Sequence, residues 1–175
     1  MIPFFLLLQA AAPAPAPPPA PWEPRARTNA NGSTSLVASA MARDGSSRMV
    51  LKCDRGTEPV VSVQFIAKQP LQIASDNGMY PVKSVSLRFD GSAAIESDWQ
   101  FRGGAAWDAD AGEVTQLTTM MAKAKTVKIE TTNASGFAFE ATVDLPPTEA
   151  TVRQVLAACG YTLGQVPPPL SAVKK

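Results

Sequence analysis

Cys53 and Cys159 are the only thiols in this chain, and histidine is absent from it. Without an imidazole, Ser-His-Asp and Cys-His nucleophiles and histidine-based zinc sites cannot be assembled. The cysteines are nothing like a Cys-x-x-Cys pair, so redox catalysis is not indicated. No Gly-x-Ser-x-Gly elbow occurs. Ser171 and Lys174 form a Ser-x-x-Lys, but in a Pro-flanked tail that offers no buried pocket to lower a lysine pKa. Asp90, Glu96, Asp98, Asp108 and Asp110 lie close in sequence. A carboxylate pair among them would have the chemistry of glycoside hydrolysis, although acidic residues in β-turns are usually solvated turn formers. Asp108 to Glu113 is similar to the start of a calcium loop, but Thr119 stands where the closing carboxylate should be. The expectation is therefore no catalytic set, no cofactor and no metal. Trp99, Phe101 and Trp107 have rings that could stack on sugars; core filling is the preferred reading.

Sixteen basic against fifteen acidic residues give a net charge of +1. With basic residues scattered rather than interleaved with aromatics, nothing points to nucleic acid or anionic lipid.

The cysteines fall on elements whose periodicity says where they point. Thr34 to Cys53 reads as a β-hairpin turning at Arg43-Asp44-Gly45-Ser46. Met49, Leu51 and Cys53 share one face of its second arm, and Arg48, Val50 and Lys52 the other. Near the C-terminus, Val152, Val155, Leu156 and Cys159 lie on one helical face. Both sulfurs thus face the core, and an exported chain would join them in a structural disulfide across 106 residues, two separate buried thiols being the alternative.

Between them, Val61, Val63 and Phe65, then Val85, Leu87 and Phe89, alternate with polar residues as strands do. Residues 69–82, with Pro70, Asn77-Gly78 and Pro81, read as a loop, and Asp90-Gly91 as a turn. Trp99 with Phe101 and then Trp107 mark two more strands. Residues 113–124 shift to a helical period, with a start at Asp110 and Glu113 that resembles a capping box. A second hairpin spans Thr126 to Glu130 and Phe137 to Asp144. Thr148 should cap the last helix and Gly160 should end it.

Residues 1–12, with the apolar Ile2 to Leu8, read as a signal peptide; the run is far short of the roughly 20 residues that span a bilayer. Residues 13–21 are a Pro/Ala spacer favouring polyproline II. One β-rich domain then occupies 22–166, and 167–175 is read as a disordered tail. One polar face per strand argues for antiparallel pairing: an antiparallel β-sandwich or curled sheet, with one internal helix and a C-terminal helix packed on it.

In its order of pieces the chain resembles small exported bacterial proteins of the VasI type, associated with type VI secretion. These pieces are Trp22 after the export signal, a strand ending in Cys53 and an Arg-x-Asp strand at Arg88 and Asp90. An aromatic strand at Phe137 and Phe139 and a terminal helix ending in Cys159 complete them. The resemblance covers Trp22 to Tyr161 and implies an accessory or interaction role with no active site. The functional expectation is a periplasmic or secreted, non-enzymatic domain that binds a protein or envelope component. Lys52, Arg88 and Asp90 on outward strand faces are its candidate surface. The rivals are an inhibitor of an envelope-acting hydrolase, as lysozyme inhibitors are, using loop 69–82, and a hydrolase using the acids near 90–110.

Overall fold

The computed structural model describes residues 22–73, 79–145 and 148–168. Residues 1–21, read from the sequence as signal peptide and spacer, the centre of loop 69–82 and most of the tail lie outside them. The chain forms β1 (Arg25–Thr28), β2 (Thr34–Met41), β3 (Ser47–Arg55), β4 (Val60–Ala67), β5 (Val82–Phe89), β6 (Ile95–Arg102) and β7 (Ala105–Asp108). Helix α1 (Ala111–Met121), β8 (Thr126–Thr132), β9 (Ala138–Asp144) and helix α2 (Glu149–Ala158) follow.

All nine strands join one antiparallel sheet in the order β1-β2-β3-β4-β7-β6-β5-β8-β9. Right-handed twist curls it until its two halves face each other. Ala42, just past β2, bridges to Val143 of β9, and Arg43 N–H donates to Thr142 O at 2.8 Å. The Arg43 guanidinium grips the Asp144 carboxylate across this seam, with Nη2 2.6 Å from Oδ1 and Nε 3.1 Å from both oxygens. The curl is not a closed barrel, since β1 takes the other part of the β2 edge.

Alternation decides what the curl encloses. Ala38, Leu51 and Val63 sit side by side on β2, β3 and β4, as do Ala40, Met49 and Phe65, and all point inward. Leu87, Ile129 and Ala141 do the same across β5, β8 and β9. The halves meet where the Phe65 and Phe139 rings approach to 5.7 Å. Trp22, the first described residue, is 2% exposed and belongs to this core.

The helices pack on the inner side of β2, β3 and β4, α2 against β2 and β3, α1 against β4. Asp110 caps α1 as expected, accepting from Gly112 and Glu113 N–H. Glu113 does not complete a capping box: its carboxylate accepts from the Ser97 hydroxyl, and the Asp110 N–H donates to Asp108 instead. Thr148 precedes α2, but its hydroxyl donates to Met121 O at 2.7 Å, tying the helices together rather than capping. Gly160, at φ +76°, ends α2: its N–H bonds Ala157 O while Tyr161 N–H bonds Leu156 O, a Schellman pattern.

Strand β1 was not anticipated, because Arg-Ala-Arg-Thr has no apolar alternation. Only Asn31-Gly32, with Gly32 at φ +80°, signals the turn that folds it onto β2. Loop 69–82 is pinned where it is described. Leu71 is buried, Leu71 and Gln72 N–H both donate to Gly103 O, and the inward-facing Lys83 Nζ donates to Leu71 O at 2.6 Å and Thr132 O at 3.0 Å.

Candidate functional site

Cys53 and Cys159 form a disulfide, with Cα atoms 5.8 Å apart. Cys53 is wholly buried and Cys159 nearly so, so the bond fastens the end of α2 to β3 beneath the sheet. It is a bond of oxidising compartments. No helix among the described residues is long and apolar enough to cross a membrane.

The five acidic residues do not converge on one point: Asp90, Glu96 and Asp98 lie apart from Asp108 and Asp110. Asp90 Oδ1 accepts from the backbone N–H groups of Lys125 and Thr126, which holds its pKa below the ordinary range and fastens the β5–β6 turn to β8. Glu96 lies on the outer face and accepts from Ser84, while Asp98 is exposed beside it. Asp108, Asp110 and Glu113 gather at the start of α1. There the Ser97 hydroxyl stands 3.4 Å from Asp108 and 3.2 Å from Glu113, and accepts from Trp99 Nε1. Among the described residues no group of three His, Cys, Asp or Glu side chains is placed to hold a metal ion.

Asp108 is 7% exposed, and burial, with help from the Glu113 and Asp110 charges, raises its pKa. A carboxyl group with a raised folded pKa costs stability when ionised and nothing once protonated. Asp108→Asn is therefore expected to raise the melting temperature at pH 7. The advantage should vanish as the pH falls below the ordinary aspartate range near 4, as parallel thermal melts would show.

The three aromatic candidates separate by strand parity. Trp99 and Phe101 are fully buried, as core filling requires. Trp107 lies on the opposite, outer face, opposite Gln64 and Gln100, with the Tyr80 ring edge-on at 5.1 Å.

The surface candidates separate as well. Lys52 and Arg88 both face outward, but β4, β7 and β6 stand between their strands. Arg88 lies in a neutralised ladder with Glu130, Lys128 and Glu140. The Asp90 carboxylate is occupied by its backbone bonds.

Lys52 belongs to a different environment. Arg27 on β1, Arg48 and Lys52 on β3 and Gln64 on β4 border one depression of about 190 Å3 on the outer face, whose lining includes no carboxylate. Arg27 and Arg48 have no acidic partner among the described residues; Lys52 leans to Asp54 at 2.8 Å. Two further depressions adjoin it, one sharing Arg48 and Ile66, the other sharing Gln64 and reaching Trp107. Charge is segregated to match. Residues 22–68 hold seven Lys and Arg against four Asp and Glu, while 79–166 hold seven against ten, so the net charge of +1 conceals a basic half. Sequence reading missed Arg27 and Arg48 because strand order and register bring them together, and β1 itself was unforeseen.

Comparison with known proteins finds no matching family model, no matching curated protein and no matching solved structure.

Proposed function

We propose that this is an exported, non-enzymatic domain of the periplasm or cell exterior. Its outer face over β1, β2, β3, β4 and β7 binds an envelope component or an envelope protein. The observation that carries this reading is the carboxylate-free depression bordered by Arg27, Arg48 and Lys52. Arg27 and Arg48, without an acidic partner among the described residues, stand on a rigid sheet and are positioned for an anionic partner. Lys52, from the surface expected in the sequence, borders this depression although it is paired with Asp54; Arg88 and Asp90 lie elsewhere and are held by Glu130 and by backbone N–H groups. The disulfide and the apolar N-terminal segment support export. The resemblance to VasI-type proteins suggests an accessory role of the same kind. The test is co-sedimentation with envelope fragments, comparing charge reversal at Arg48 and Lys52 with charge reversal at Arg88.

A further inference from the structure

We infer that the occupant of this outer face is an acidic polysaccharide, an extended glycan carrying carboxylates along its length; the inference rests on the binding role proposed above. Three features of the face carry it.

The first is the spacing of the cations. Arg48 and Lys52 are four residues apart on one strand, about 13 Å between Cα atoms. Arg27 lies two strands over from β3, opposite Ser35 and so level with Asp54, about 12 Å from Lys52. Lys52 Nζ turns to Asp54, away from Arg48 and toward the level of Arg27, so Arg48 is splayed from the other two cations. Splayed cations fit charges distributed along a chain better than one small anion. Guanidinium groups also pair with carboxylates through two parallel hydrogen bonds.

The second is the polar lining between the cations. The Ser39 hydroxyl and the Gln64 carboxamide oxygen border the depression without hydrogen-bond partners among the described residues. Both suit sugar hydroxyls, which donate and accept alike.

The third is Trp107, which borders the adjoining depression beyond Gln64. An indole beside a polar groove suits the C–H face of a sugar ring, an apolar contact that a purely acidic chain does not need. Asp54 lines that same depression, but its charge is taken up by Lys52 and it receives the Asn29 amide at 3.3 Å.

Trp107 also supplies the readout, since Trp22 and Trp99, the other two tryptophans, are buried. The full chain would be titrated at low salt with polygalacturonate, dextran, poly-L-glutamate and phosphatidylglycerol vesicles, following heat and acrylamide quenching of tryptophan. Polygalacturonate should bind, protect Trp107 from quenching and weaken at least tenfold in R27E/R48E, with dextran inert. The protection should be missing in Trp107→Phe, which is expected to bind more weakly while keeping the salt dependence that phosphate- and carboxylate-pairing cations confer. No binding of polygalacturonate overturns the inference. So does equal or tighter binding of poly-L-glutamate or vesicles, which would make the face a general anion site or a lipid surface. Either result leaves the binding role standing if envelope co-sedimentation still depends on Arg48 and Lys52; loss of that dependence is the separate failure of the binding role.

Discussion

The C53A/C159A variant is expected to unfold at about 4–5 kcal/mol lower free energy than the oxidised wild type. The bond closes a loop of 106 residues, and chain entropy alone predicts a cost of this order for the unfolded state of so long a loop. Alanine avoids placing a hydroxyl at the wholly buried Cys53 position. The loss should be concentrated in α2, which is held on the sheet by its core-facing residues Val152, Val155 and Leu156 and by the bond. Urea unfolding of oxidised wild type, reduced wild type and the variant separates the covalent effect from that of the side chains. Amide exchange should show α2 opening before β3 does. A change below about 1 kcal/mol would mean that the bond is incidental to the fold.

Trp22→Ala is expected to cost about 3–5 kcal/mol, the usual loss for emptying a buried aromatic site. Trp22 precedes the first strand and has a left-handed backbone at φ +66°, yet its side chain is 2% exposed. It anchors the start of the domain, with its N–H on Ser39 O at 3.3 Å. Its Nε1 is buried without a hydrogen-bond partner among the described residues. An orphaned donor costs stability, so Trp22→Phe removes a penalty along with the lost volume and should be much milder than the alanine variant. Circular dichroism in urea measures both, free of the change in fluorescence. Equal losses for Phe and Ala would show that the indole nitrogen has a partner and that the ring itself matters little.

The parts of this fold that were legible in the sequence are those where one face of an element is dry. On β3 the Met49, Leu51, Cys53 series is buried and Arg48 and Lys52 are not, because a period of two separates core from solvent. The same logic on α2 aimed Cys159 at the sheet, and the two sulfurs met. Strand β1 was illegible because an exposed edge strand needs no apolar pattern. Trp99 and Trp107 are alike as residues and lie on neighbouring strands, yet face opposite ways. Their register follows from the turn at Gly103-Gly104, where a side chain at Gly104 would collide with the Ala67 carbonyl. Arg27, Arg48, Lys52 and Gln64 come from three strands, and strand order joins them. Sequence spacing does not encode such a face, whereas a metal or nucleophile motif would have been visible in one stretch of chain.

Co-sedimentation with native envelope fragments at low salt tests the central claim most directly, using wild type, R48E/K52E and R88E, each first shown by thermal melt to be folded. The bound fraction of R48E/K52E should fall at least tenfold, raised salt should release the wild type, and R88E should match the wild type. Unchanged binding by R48E/K52E, or loss confined to R88E, would contradict the assignment and move the interaction surface to the other half of the sheet.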